Sequence, residues 1–278
     1  MINGPLFTIF GLSVYPYGLC IGIGLICCFV LLWNIFKKTG LSNEYTDFVT
    51  ILGIVSVGGG FLSAALFQAI FNYIENPELG FNFSLGNITF IGGLIGGVVL
   101  FILGSLIFMK KYKESVWSVV AIAPICITIA HGFGRLGCLC AGCCYGITAE
   151  GDWAWLNFYF PARGNLWALP TQLYEAVFLL ILCGVLAYLL LKKKNHYTMP
   201  IYLISYGVWR FLLEYIRNDH RGEFVAGLTP SQFYMLIMIA LGVAVIFLIK
   251  HYAIPKNKML PDYLTNTNAE RIVDNKDK

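Results

Sequence analysis

At 278 residues, 58% hydrophobic, only 12% charged and with a mean hydropathy of +0.72, the chain does not read as a soluble domain, which carries about twice that charged fraction. Several apolar runs reach the roughly 20 residues a helix needs to cross a bilayer. The fold class is therefore all-α, a polytopic membrane protein with about seven transmembrane helices. The net charge of +4 comes without a basic groove or recognition motif, so no nucleic acid is expected as a partner.

In chain order, segment 1–14 is apolar but too short to span, and is expected to lie along the external interface. The first cation is Lys37, so the basic start of a cleavable signal peptide is missing and the chain is expected to be uncleaved. The transmembrane domain, 15–250, divides into spans at about 15–36, 47–72, 88–109, 115–134, 171–191, 199–217 and 230–250. Spans four and six are interrupted or polar at one end, which is tolerated where backbone lines a cavity. Gly18/Gly22, Gly58 to Gly60 and Gly92-Gly93/Gly96-Gly97 put small residues at helical spacing, suited to close helix packing. Cys20, Cys27, Cys28, Cys126 and Cys183 lie inside apolar runs, where cysteine acts as a small hydrophobe. The polar tail, 251–278, completes the chain.

The fourth span runs out into His131 to Gly146, which sets one arginine, Arg135, among five glycines and four cysteines. An arginine at a bilayer edge is paired or meets an anion. Glycines such as Gly134 and Gly137 let a ligand approach the backbone. Arg135 thus has the character of a phosphate or carboxylate hook. His131 shares its face if the helix is continuous, as a hydrogen-bonded interior histidine or as a base. Cys140-Ala-Gly-Cys143 is formally a CxxC pair, but a second ligand pair is missing, so no metal is expected. Cys138, Cys140, Cys143 and Cys144 line a pocket or form a redox pair.

The outer loop, 147–170, is dense in aromatics (Trp153, Trp155, Phe158, Tyr159, Phe160, Trp167), which suit the headgroup layer. Thr171 is expected to cap span five. Gln172, Tyr174 and Glu175 place more polar groups in the first turns than capping explains. Arg210 and Glu214 share a face at i,i+4. Arg217 and Asp219-His220-Arg221 follow, giving more cations than one glutamate neutralises. Thr229-Pro230-Ser231-Gln232 reads as a capped helix start with a capping-box glutamine.

All thirteen lysines fall beyond ends that alternation assigns to one side, which the positive-inside rule makes cytoplasmic. The N-terminus is then outside and the tail inside. Arg135, Arg163, Arg210, Arg217 and Arg221 do the opposite, at the outer face or in outward half-spans. Their planar forks suit bidentate phosphate recognition, and an anion handled at the outer leaflet explains their place.

These motifs resemble prolipoprotein diacylglyceryl transferase. The family signature reads Gly-Arg-x-Gly-Asn-Phe-x-Asn-x-Glu-x-x-Gly, and the chain offers Gly134, Arg135, Gly137 and Gly146 at matching places. It departs at Cys138, Leu139, Ala141 and Cys143. Tyr17-Gly18-Leu19 is similar to the family's tyrosine-glycine motif. Phe90 to Gly96 is similar to its glycine-rich third span, with Ile91 where many members have a histidine. Pro170 to Ala176 resembles its Pro-Ser/Thr-Gln-Leu-Tyr-Glu box, and Tyr206 to Arg217 its arginine-phenylalanine-x-x-glutamate segment.

The resemblance implies a bacterial plasma (inner) membrane enzyme, active at the outer leaflet. It would move a diacylglyceryl group from phosphatidylglycerol to the thiol of a prolipoprotein lipobox cysteine, without a cofactor, among membrane lipids. Arg135 and Arg210 would stabilise the departing phosphate, Glu214 would hold Arg210, and His131 is the candidate base. Tyr17, Gly134, Gly137, Gln172, Tyr174, Glu175 and Arg217 would bind substrate. Two alternatives stand beside it: a membrane thiol oxidoreductase using the cysteine cluster, and a non-catalytic lipid carrier of the same fold.

Overall fold

The computed structural model describes residues 5–9, 12–84, 89–112, 115–161, 164–218 and 227–253. Within these the chain is mostly helical: α1 (Pro16–Thr39), α2 (Asn43–Glu75), α3 (Phe90–Tyr112), α4 (Val116–Ala141), α5 (Thr171–Leu191), α6 (Thr198–Leu213) and α7 (Pro230–Leu248). Five of these elements (α1, α2, α4, α5 and α7 with the π-turn after it) are long and apolar enough to cross a membrane. The helical membrane architecture expected from composition is therefore present.

Two short antiparallel hairpins, which helical periodicity does not signal, lie outside the helices. One is β1 (Phe7–Ile9) with β2 (Leu12–Val14), inside the segment expected only to lie at the interface. The other is β3 (Phe158–Phe160) with β4 (Leu166–Ala168), inside the aromatic loop. Trp153, Trp155 and Trp167 of that loop are exposed.

The chain divides into two compact units, residues 40–116 and the remainder. The smaller unit is the α2–α3 hairpin. Apart from Gly58, which faces open space, its glycines behave as their spacing predicts: a Cβ on Gly60 would come 3.0 Å from the Gly93 carbonyl oxygen and 3.5 Å from the Gly97 Cα. Ser63 Oγ donates to the Gly92 carbonyl at 2.9 Å, and Thr89 donates to Gln68, so the contact is polar as well as close.

In the larger unit, Gly18 and Gly22 face open space, so they do not serve the packing expected of them. Gly24 does instead, because a Cβ there would come 2.7 Å from the Phe133 Cβ of α4. Cys126 and Cys183 are buried in the apolar interior, as expected. α4 continues without a break to Ala141, seven residues beyond the end expected for span four. α6 stops at Leu213 and passes into a 3₁₀ turn, Glu214–Ile216. α7 opens with the expected capping box, in which Gln232 N donates to Thr229 Oγ1 at 3.2 Å and Thr229 N to Gln232 Oε1 at 3.1 Å. Thr171 corrects a second expectation. Pro170 occupies the cap position without a side-chain cap, while Thr171 Oγ1 donates away from the helix, to the Cys144 carbonyl at 2.7 Å.

The α2–α3 contact generates a prediction. Gly60→Leu has no room to repack against backbone atoms, so it should lower stability by about 1–3 kcal/mol, the usual cost of overpacking. Gly58→Leu, with nothing within 4 Å of its Cβ, should be neutral. Thermal unfolding of both variants in one detergent checks the pair.

Candidate active site

The site forms where the ends of four helices meet within the larger unit. The C-terminal turns of α4 bring His131 and Arg135, four residues apart on one face of a continuous helix. The first turns of α5 bring Thr171, Gln172 and Glu175. α6 contributes Tyr206 and Arg210, and the 3₁₀ turn after it contributes Glu214 and leads to Arg217. Tyr206, Arg210 and Glu214 are spaced by four, so one helical face carries all three.

Backbone pairing locks these ends together. Gly146 N donates to the Leu169 carbonyl at 2.8 Å, Leu169 N to Ile147 at 3.0 Å, and Ile147 N to Ile216 at 2.9 Å. Gly146 and Arg217 form an antiparallel bridge. Only glycine fits there, because a Cβ on Gly146 would stand 2.4 Å from the Ile216 carbonyl oxygen. The bridge sets where the Arg217 side chain begins.

Glu175 is the centre. It is fully buried, and its Oε1 accepts a hydrogen bond from the Tyr206 hydroxyl at 2.7 Å. Arg135 Nε lies 3.0 Å from the same oxygen, close for an ion pair though off-line for a hydrogen bond. His131 Nε2 is at 3.8 Å and Arg210 Nε at 4.0 Å. The His131 and Tyr206 rings meet edge-on at 5.1 Å.

A second carboxylate, Glu214, organises the other half. Arg210 Nη1 donates to its Oε2 at 2.6 Å, and Arg217 Nε stands 3.7 Å from that oxygen. Thr229 Oγ1 donates to Oε1 at 3.0 Å, while Arg210 Nη2 reaches Ser231 Oγ at 3.3 Å. Arg210 is thus fixed on both sides. Among the described residues of the site, three guanidiniums face two carboxylates, which leaves one positive charge in excess. Arg210 and Arg217 are buried, whereas the Arg135 side chain is 20% exposed and can reach a ligand. Such an arrangement holds an anion through planar, preorganised donors.

A family model described as prolipoprotein diacylglyceryl transferase matches residues 5–248. The chain belongs to that family. Among relatives, the phosphatidylglycerol–prolipoprotein diacylglyceryl transferase of Clostridium tetani (strain Massachusetts / E88) is 34% identical over 245 residues, covering 86% of this chain and 95% of the relative. A second transferase of that name, from Clostridium perfringens (strain 13 / Type A), is 32% identical over 246 residues, covering 84% and 91%. That of Campylobacter curvus (strain 525.92) is 28% identical over 261 residues, covering 88% and 93%.

Of the residues that the diacylglyceryl transferase resemblance singles out, His131, Arg135, Glu175, Arg210, Glu214 and Arg217 form this one network. Gln172 supports it indirectly: its Nε2 donates to the Cys143 carbonyl at 3.1 Å. Tyr17 stands beside the network on α1, where Gly137 allows it in (a Cβ on Gly137 would come 3.0 Å from the Tyr17 ring). Gly134 faces open space, free for a ligand. Tyr174 is half-buried in the first turn of α5 and, among the described residues, forms no ion pair or hydrogen bond with the others. The Ile91 side chain, Arg163, Asp219, His220 and Arg221 lie outside the described residues.

Tyr206, Thr229 and Ser231 are the site residues that sequence reasoning missed. Tyr206 could have been found from its spacing of four from Arg210. Thr229 and Ser231 gave only a helix-start signal, and their second role needs α7 beside α6. The cysteines divide unexpectedly. Cys140 meets Cys20 of α1, whereas the sulfurs of Cys138, Cys143 and Cys144 lie within 4.8 Å of one another. Hydrogen bonds from the Cys138 and Cys143 thiols hold the Cys144 thiol below its ordinary range, aided by Arg217 and opposed by burial.

Glu175→Gln should be the most damaging single change for the network, because it leaves Arg135 short of its countercharge in a buried place. Breaking a buried pair in this way costs about 3–5 kcal/mol. Tyr206→Phe loses only one charge-assisted hydrogen bond, about 1.5–3 kcal/mol. Melting temperatures of the two variants in the same detergent should fall in that order.

Proposed function

We propose that the chain transfers the diacylglyceryl group of phosphatidylglycerol to the thiol of a prolipoprotein lipobox cysteine, the first step of bacterial lipoprotein maturation. The sulfur forms a thioether to the glycerol carbon that carried the phosphate ester. The carbon–oxygen bond to phosphate breaks, glycerol phosphate leaves with the bonding electrons, and the thiol proton passes to a base. Family membership and the relatives' names support this reading. The single observation that carries the mechanism is the partly exposed Arg135 beside two buried, fixed arginines with one positive charge in excess.

The departing phosphate gains negative charge at its bridging oxygen, and guanidiniums already in place lower that barrier without reorganising. Arg135 meets the phosphate, while Arg210, held by Glu214 and Ser231, contributes a fixed positive field behind it. Glu175 orients Arg135. A cysteine of ordinary pKa, about 8.5, is only a few per cent thiolate near neutrality. His131, between Glu175 and Tyr206, is the base we propose for it. Tyr17, Gly134, Gly137, Gln172, Tyr174 and Arg217 would border the bound lipid and peptide.

The orientation we propose has the N-terminus and the active site at the outer leaflet of the bacterial inner membrane, seven crossings and a cytoplasmic tail. The lysine asymmetry supports it. The aromatic hairpin between α4 and α5 would then lie among outer headgroups. The transferase reading is preferred to an oxidoreductase using the cysteine cluster because family membership and the relatives' names support transfer, and because a redox role would leave the arginine network without a task.

Incubation of the purified protein with phosphatidylglycerol and a lipobox peptide should add a diacylglyceryl mass to the peptide; a redox change without lipid addition would reverse the conclusion. In that assay Arg135→Lys and Arg210→Lys keep the charge but lose the fork. Arg135→Lys should slow transfer by roughly a hundredfold to a thousandfold, the typical cost of one such donor, about 3–4 kcal/mol, and Arg210→Lys, which keeps the field but loosens the contacts to Glu214 and Ser231 that fix it, should slow it by less. The swap Arg210→Glu with Glu214→Arg should also be poor, and near wild-type rates in all three at matched stability would remove the phosphate role. For orientation, a membrane-impermeant thiol reagent applied to intact cells should label a cysteine placed at Asn157 and not one at Asn195, in a cysteine-depleted background.

A further inference from the structure

The turn that ends α4 is built around three thiols that phosphate chemistry does not call for. Gly142, in the left-handed region at φ +65°, closes the helix. Gly142 N donates to the Leu139 carbonyl at 3.1 Å and Cys143 N to the Cys138 carbonyl at 3.1 Å. This pair of bonds is the Schellman motif, which folds the second residue past the cap back over the last turn, normally to make an apolar contact there. Here the two side chains brought together are Cys138 and Cys143, and the Cys143 thiol also donates to the Cys138 carbonyl at 3.6 Å.

Cys144 then adopts φ +65° itself, a conformation that costs a residue with a Cβ about 1–2 kcal/mol. Such outliers persist where the surroundings hold them. The Thr171 hydroxyl on the Cys144 carbonyl and Gln172 on the Cys143 carbonyl do so. The result is three sulfurs within 4.8 Å of one another.

We propose that Cys138, Cys143 and Cys144 form a three-thiolate site for a soft divalent d10 cation, of which Zn²⁺ is the natural size. Tetrahedral Zn–S bonds of about 2.3 Å separate the sulfurs by about 3.8 Å, well inside the observed limit. On binding, each thiol releases one proton to solvent and no electron is transferred. Three thiolates and one divalent cation carry a net charge of −1, against −3 for the thiolates alone. The fourth coordination position belongs to solvent. The CxxC spacing is misleading here, because Cys140 turns to Cys20 and takes no part. A bound cation would rigidify the turn whose carbonyls receive Thr171 and Gln172, and so fix the end of α4 against the turn of α5 that carries Glu175. The site does not depend on the proposed transfer reaction.

The test uses the full-length, fully reduced protein in detergent, titrated with Cd²⁺ alone and, separately, loaded with Zn²⁺. The wild-type protein should take one equivalent of Cd²⁺ with thiolate charge-transfer absorption in the ultraviolet. The Zn²⁺ form should show sulfur neighbours at about 2.3 Å by X-ray absorption. Zn²⁺ should protect Cys138, Cys143 and Cys144 together from alkylation, as mapped on peptides, with reversal by a chelator. Cys138→Ser, Cys143→Ser and Cys144→Ser should each weaken Cd²⁺ binding by more than tenfold, since even outer-shell losses cost about 10–100-fold. Cys140→Ser should leave it unchanged. Sub-stoichiometric binding, binding that survives the triple substitution, or a reduced sample that forms a disulfide in place of metal uptake would each overturn the site. The alkylation map needs no variant, so a misfolded mutant does not protect the proposal.

Discussion

A carboxylate buried away from water is costly, by several kcal/mol, unless cations and hydrogen-bond donors surround it. Glu175 is such a group, one turn into α5. Its partners come from other helices: Arg135 and His131 from α4, Tyr206 and Arg210 from α6. The requirement to satisfy one oxygen therefore fixes the register of three helices at once. Slide any of them by a residue and the charge is stranded.

Glu214 repeats the device on the other side, with Arg210, Arg217 and Thr229 as partners. Arg210 belongs to both groups and couples them. Two carboxylates cannot balance three guanidiniums, and the surplus surrounds the partly open Arg135. The same arrangement that makes burial tolerable thus leaves a positive charge in excess at the site, which suits an anion. A planar arginine fork suits phosphate better than the point charge of a lysine would.

The turn after α4 departs from the signature it resembles at Cys138, Leu139, Ala141 and Cys143. Gly134, Arg135, Gly137 and Gly146 keep the roles that backbone and charge demand. Gly137 lets the Tyr17 ring close in, and Gly146 lets the chain cross Ile216. Cys138 and Cys143 stand where the signature has an amide and an acid. The Schellman cap brings those two positions together, so the turn carries a thiol cluster.

Composition and helical periodicity determined the membrane class and the helical fold, because the bilayer leaves an apolar chain little alternative to helices. Local chemistry also determined the α7 capping box and the shared face of Arg210 and Glu214, since those contacts close within one turn. The family was legible from short motifs near residues 17, 90, 135, 170 and 206. Contacts across helices were not. Nothing local says that Thr171 reaches Cys144 instead of capping α5, that Gly24 and not Gly18 packs on α4, or that Cys140 turns away from Cys143. Thr229 and Ser231 became site residues only once α6 and α7 lay side by side. Spacing along one helix specifies which side chains share a face, whereas the partner that face meets depends on tertiary packing, and for Glu175 every partner is on a different helix.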